Sequence, residues 1–234
     1  MGYYKHRESA KLCTRRGYFL IENTHKPVII LGAGGHAKVI ADALLQSGHK
    51  ILGFVIPDKK QETSFYGFSV LSDDDIDTFQ PDSVVLANGI GALPYQEKRR
   101  ALAARMRDQG YTFTTIIHPS AVVASDVELA EGVQVMAGSV IQSGTKIGID
   151  SIINTGVLLD HDCKIAERCH LAPGVVCSGG VNIGEGTHVG TGVLVIQNIS
   201  IGKNSVVAAG SVIYKNVLSN ETFIQVRHRR VEAN

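Results

Sequence analysis

From Ile117 onward every sixth residue is apolar, running Ile117, Val123, Leu129, Val135, Ile141 and on without a slip to Ile213. Four residues after each of these sits a small or β-branched side chain, from Ala121 and Val127 through Cys163 and Cys169 to Val217. Three residues after each hit, Gly, Asn or Asp appears in 15 of 17 units, with Ser120 and Arg168 the exceptions. Those residue types turn the chain sharply and tolerate positive φ. Three registers locked to one period leave few solutions. A short strand, a corner and another short strand repeat, with two inward positions per unit, as in a hexapeptide β-helix.

The pattern resembles the left-handed kind, a prism of three flat sides with 18 residues per coil, and about five and a half coils fit between Ile117 and Val217. Residues 18 apart then stack about 4.8 Å apart in the hydrogen-bonding direction. The outward position before each hit reads Val140, Leu158, Val176, Leu194, Val212 on one side. It reads Glu128, Lys146, Lys164, Asn182, Ser200 on the second and Gln134, Ile152, His170, His188, Val206 on the third. A continuous exposed apolar stripe marks a subunit interface. A homotrimer would bury it; the alternative is a stripe covered by the N-terminal region of the same chain.

Before the repeat, strand and helix alternate. Val28–Leu31, "KILGFVI", "SVVLA" and "FTTII" read as strands, and Ala37–Leu45 and "YQEKRRALAARMRDQG" as helices. This predicts a small Rossmann-like α/β unit over 27–116 with a parallel sheet. A β-helix over 117–218, a tail over 219–234 and an extension over 1–26 outside the folded unit complete the division. Gly32, Gly34 and Ala37 satisfy the loose G-x-G-x-x-G/A spacing. Amides at Gly34, Gly35 and His36 suit a phosphate at the helix start, and the His36 imidazole could donate to it or to a sugar. Asp58 and Lys59 would reach the same crevice. A tight turn with no ligand is the alternative. A nicotinamide enzyme is disfavoured, because the second mononucleotide half is missing.

Acidic and basic residues nearly cancel, with a formal net charge of +1, so no bulk attraction to nucleic acid or membrane follows. No apolar run approaches the roughly 18–20 residues of a membrane span, and a cytoplasmic location is expected. The four cysteines form no C-x-x-C pair and read as buried thiols.

Chemistry concentrates in "NTGVLLDHDCKIAERCHLAPGVVCSGG", Asn154 to Gly180. His161 and His170 occupy outward registers. Asp160 and Asp162 flank His161, and a carboxylate on one imidazole nitrogen leaves the other as a base. One coil above lie Gly179 and Gly180, whose missing side chains would open a gap beside the ring. His161 follows the stripe residue Leu158 by three positions, which places it near a subunit boundary. A solvated surface histidine is the alternative. The spacings from His161 to His170 and on to His188 differ from the paired histidines of γ-class carbonic anhydrases, so no metal is expected.

With "ILGAGGHAKVIAD", "IIHPSAVV" and "INTGVLLDHDCKIAERCHLAPGVV", the chain resembles bacterial sugar acetyltransferases of the hexapeptide-repeat superfamily. The branch is that of UDP-4-amino-sugar and GDP-perosamine N-acetyltransferases and sialic acid O-acetyltransferases, over about Pro27 to Val217. The resemblance implies a nucleotide-activated amino sugar held by the N-terminal unit. Gly34, Gly35 and His36 would lie near the phosphates, and Asp58 and Lys59 near the base or ribose. His161 would be the general base and Asp162 its orienting acid, where relatives often carry Glu. Asn154 and Asp160 would line the acceptor pocket. His170, Gly179 and Gly180 would meet acetyl-CoA in a groove between neighbouring β-helices. N-acetylation is favoured over O-acetylation. The ending "FIQVRHRRVEAN" replaces the G-x-P-A of relatives, and Arg227, Arg229 and Arg230 would either contact the CoA 3′-phosphate or form a solvated tail.

Overall fold

The computed structural model describes residues 26–57, 64–94 and 97–225. The period of six emerges as two-residue strands, from Ile116–Ile117 to Thr222–Phe223, stacked in three parallel sheets of six, five and seven strands. Registers step by one coil: Val140 pairs with Leu158, Lys146 with Lys164, and Ile152 with His170. This is a left-handed parallel β-helix. Val135, Ile153, Leu171, Val189 and Val207 point inward and are each 0% exposed.

The second inward register explains its small polar members. Ser139, Thr145, Ser151 and Thr187 are buried. Each hydroxyl donates to a corner carbonyl in the next coil, those of Asn154, Asp160, Ala166 and Gly202, at 2.7–3.1 Å. The hydroxyls thus satisfy carbonyls that the sharp corners leave without a ladder partner. Cys163, Cys169 and Cys177 fill the same interior as free thiols. Burial pushes all three thiol pKa values up.

The prism runs further than the repeat. After Ile213 the six-residue register breaks, yet Val217 still bridges Ile201, and Thr222–Phe223 pairs with Val206–Val207. The tail expected from 219 therefore begins with a last rung. The Glu221 carboxylate, 2.8 Å from the Leu218 amide, shapes the longer connection. Residues 1–25 of the expected 1–26 extension, and the residues from 226 onward, lie outside the described residues.

The N-terminal unit is a sheet of β1 (Val28–Leu31), β2 (Ile51–Val55), β3 (Ser64–Phe65), β4 (Phe68–Leu71) and β5 (Val85–Asn88), ordered β3-β4-β2-β1-β5. β1 is parallel to both β2 and β5. Helix α1 (Gly35–Gln46) covers one face through Ala37, Ile40 and Leu44, and α3 (Lys98–Asp108) the other through Ala103 and Met106. The β3–β4 hairpin and the single turn α2 (Asp73–Ile76) escaped the pattern reading. The hairpin turns on Tyr66 and Gly67, both at positive φ, where Asn-Gly is the usual signal. α2 is nucleated by a capping box between Ser72 and Asp75, with Asp in place of the commoner Glu or Gln.

The N-terminal unit sits on the mixed face. α1 packs on Ile116 and Met136, and Gln134 and Ile152 are each 1% exposed. The Arg107 guanidinium donates to both Asp150 carboxylate oxygens at 2.6 and 2.9 Å, clamping α3 to a β-helix corner. The apolar face remains open, with Val122, Leu158 and Leu194 at 60%, 40% and 45%. Among the described residues, cover by the N-terminal unit thus goes to a different side of the prism.

Candidate active site

His161 stands on the corner between Leu158–Leu159, in the open apolar sheet, and Lys164–Ile165, in the charged sheet. Its amide donates to the Asp160 carboxylate at 2.8 Å. Asp162 takes the left-handed corner conformation (φ 59) and brings its carboxylate 2.8 Å from His161 Nδ1. That hydrogen bond first, and the Asp160 charge second, raise the imidazole pKa above its ordinary value. With Nδ1–H donating to Asp162, Nε2 is the basic nitrogen. A Cβ on Gly179 would stand 2.5 Å from that Nε2. The expected gap is thus filled by the imidazole itself, which lies against bare backbone. The Gly180 amide is engaged with the His161 carbonyl at 2.9 Å, whereas the Gly179 amide donates no hydrogen bond among the described residues.

On the preceding corner of the prism, Asn154 meets His170 of the strand His170–Leu171. Asn154 Oδ1 accepts from the Thr155 amide at 2.8 Å, which turns Nδ2 toward His170 Nε2 at 3.2 Å. His170 Nδ1–H donates to the Ala92 carbonyl at 2.7 Å, tying the loop after β5 to the β-helix. Burial, and then the neighbouring His188, lower its pKa to about 4, so the ring is neutral. Both ring nitrogens have protein partners. His170, the residue expected near the thioester, orients Asn154 through its Nε2 contact.

At the α1 N-terminus, a Cβ on Gly34 or Gly35 would meet nothing within 4 Å, so the backbone there faces open space. The first intrahelical donor is the Lys38 amide, to Gly34. The amides before it have no helical acceptor, as suits an anion. His36, expected to donate to a phosphate or a sugar, has a protein partner. Its Nε2 lies 2.8 Å from Gln134 Oε1. Gln134 Nε2 donates to the Asn88 carbonyl at 3.0 Å, so Oε1 is the acceptor and His36 Nε2 the donor. Burial, with Arg99 next, lowers the His36 pKa to about 4. The ring's single proton faces the β-helix. Asp58, Lys59, Arg227, Arg229 and Arg230 lie outside the described residues.

The sequence reading missed a buried polar link of Asn88, Arg99 and Gln134. Asn88 Nδ2 donates to the Arg99 carbonyl, and Arg99 Nη1 donates to the carbonyls of Asn88 and Ile90, both at 2.7 Å. Its one visible signal was a polar Gln134 beside Ile152 in the mixed column. Among the described residues, no group of three or more His, Cys, Asp or Glu is placed to hold a metal ion. No helix there is long and apolar enough to cross a membrane.

Within one chain, His161 and the Asn154–His170 pair occupy opposite edges of the open face. One hexapeptide separates the edges, on the order of 15–20 Å at about 3.3 Å per residue. A β-helix carrying an imidazole–carboxylate pair on a corner, with a phosphate-type helix terminus on an α/β layer, defines a class of acyl-transferring β-helix proteins. Residues 27–105 match the PglD N-terminal domain. Perosamine N-acetyltransferase from Caulobacter crescentus, solved as a histidine-to-asparagine variant with CoA and GDP-perosamine, is 35% identical, with a TM-score of 0.78. The match covers 85% of this chain and 93% of that one. The acetyltransferase domain of PglB from Neisseria gonorrhoeae is 28% identical, with a TM-score of 0.77 over 85% and 96% of the two chains. The chain belongs to the nucleotide-sugar N-acetyltransferases of the hexapeptide-repeat superfamily.

Proposed function

We propose that this chain transfers an acetyl group from acetyl-CoA to the amino group of a nucleotide-linked amino sugar, in a seam between protomers of a homotrimer. The observation that carries the reading is the His161–Asp162 pair, 2.8 Å apart, with Nε2 against Gly179. Support comes also from the Caulobacter relative, whose complex holds CoA and GDP-perosamine. Packing the open stripe of one prism against the next would bring His161 of one copy toward Asn154 of its neighbour. The nucleotide phosphates would lie on the amides at Gly34 and Gly35, and the sugar would extend toward Asn154 and Asp160.

In the transfer step the sugar amine attacks the thioester carbonyl while His161 Nε2 takes the amine proton. Asp162 holds the ring in the required tautomer and stabilises the imidazolium. The Gly179 amide is free to donate to the oxyanion. Collapse of the tetrahedral intermediate breaks the C–S bond, and the imidazolium returns its proton to the CoA sulfur. The three interior thiols play no part, since burial keeps them protonated.

The test is thiol release from acetyl-CoA against a panel of UDP-, GDP- and dTDP-linked amino sugars. One member of the panel should turn over, and His161→Ala should lower that rate by about 10²–10⁴. Unchanged turnover in the variant removes His161 as the base. Silence across the panel removes the acceptor class.

A further inference from the structure

A second cleft, of about 280 Å³, opens between the loop after β5 with the start of α3 and one corner of the β-helix. Its β-helix wall includes Asp150, Arg168, Gly186 and Asn204, stacked at one-coil intervals. That corner carries neither His161 nor Asn154, but His170, whose Nε2 lies 3.2 Å from Asn154, and Ala92 also line the cleft, so it adjoins the Asn154 edge on its far side from the open face. Arg168 breaks the repeat's own rule. It occupies the corner register that is Gly, Asn or Asp in 15 of the 17 units, and it sits there at φ 57. A long side chain in the left-handed region is strained, and such strain persists where the surroundings use it.

The guanidinium groups facing this cleft are incompletely paired. Arg168 Nη1 and Nη2 are held by Glu167 and Glu185, yet its buried Nε has no hydrogen-bond partner among the described residues. Arg99 is 8% exposed, and its buried Nη2 is likewise without a partner. Its Nη1 is taken by two neutral carbonyls. The nearby Asp150 carboxylate is engaged by Arg107. Arg99 is thus a buried cation with no direct counter-ion, an arrangement that is costly unless an anion completes it. Arg100 and the neutral imidazole of His188 line the same space, with Glu97 on the α3 side.

We propose that this cleft is a second ligand site that binds the phosphoryl group of a small phosphomonoester, held by Arg99 and Arg168. A tetrahedral phosphate accepts hydrogen bonds from several directions at once, which suits single donors arriving from two separate guanidinium groups. The volume exceeds that of bare phosphate and admits a compact sugar attached to it.

Calorimetric titration of the full chain with inorganic phosphate and with glucose 1-phosphate tests this, alongside Arg168→Asn. Asparagine suits the corner conformation, so the variant should keep or raise Tm while losing one donor. The wild type should bind both probes, with glucose 1-phosphate the tighter, and Arg168→Asn should weaken each by about tenfold or more. Arg99→Lys, which retains the charge but not the fork, should weaken binding as well. Absence of binding by the wild type at millimolar probe overturns the proposal. So does equal affinity in Arg168→Asn, or binding of phosphate that any soluble anion such as chloride displaces equally well. None of these readouts involves acetyl transfer, so the site and the transferase reading fail separately.

Discussion

A base on a solvent-exposed corner is set by its neighbours in sequence. Asp160 and Asp162 both raise the His161 pKa, the second through a direct hydrogen bond. Because the free base is the active form, kcat/KM should fall as pH drops through a value above the ordinary 6.5. Asp162→Asn removes the larger cause and should move that acidic limb to lower pH. It should also reduce the plateau by about 10–10²-fold, as the tautomer is less firmly held. A pH–rate profile whose acidic limb stays in place in the variant would separate Asp162 from the titration. The residue types were legible from "DHD" and the one-coil offset to Gly179. The geometry at Gly179 differs from the expectation, because the sequence cannot tell an empty gap from one filled by a neighbouring ring. The protein partners of His36 and His170 were not legible for a related reason. Their partners, Gln134 and Ala92, are remote in sequence, and only the docking of two layers decides which way each ring's proton faces.

That docking gives the elements a shared pH sensitivity. His36, His170 and His188 all lie where the α/β layer meets the prism, and burial is the first cause lowering the pKa of each, to about 4 for the first two. The unfolded chain therefore takes up protons before the folded one does. The stability from keeping these rings neutral is complete above the unfolded value of 6.5 and is lost as pH falls toward about 4. His161 acts in the opposite sense, but it is exposed and its contribution is screened. Tm measured across this interval should fall steeply in the wild type and less steeply in His36→Gln, which can still donate to Gln134. Equal slopes would mean that the layer contact does not carry the acid sensitivity. The elements themselves were read with uneven success. The long periodic segments came through, since three registers reinforce one another over many coils. The β3–β4 hairpin and α2 did not, being too short to show a period. The last rung at Thr222–Phe223 follows a break in the register and was read as tail.

At the scale of the whole molecule, the open face divides the machinery. Leu158 and Leu194 lie on it at 40% and 45% exposure, directly beside the edge that bears His161. In the proposed homotrimer, replacing both with Lys would set like charges in a surface that loses water on association. The variant should run as a monomer in light scattering, keep its β-sheet circular dichroism, and lose nearly all transfer while the His161–Asp162 contact stays intact. Full activity in that monomer would place the complete site within one chain. The stripe was legible as an alternation with a one-coil repeat. Which face the N-terminal layer would take was not, because the mixed column looked no better suited to burial than the apolar one.

Backbone hydrogen bonds in the prism join each coil only to the coils before and after it, so cooperativity here is a nearest-neighbour affair. The first coils carry the α/β layer on their mixed face; at the other end the last described rung is the two-residue strand Thr222–Phe223. Thermal unzipping should therefore start at that far end and travel inward. The row of Leu158 has three further strands of its sheet between it and that end, through Val176, Leu194 and Val212. Fraying of the last described rung would then leave the reactive corner's own neighbours in place.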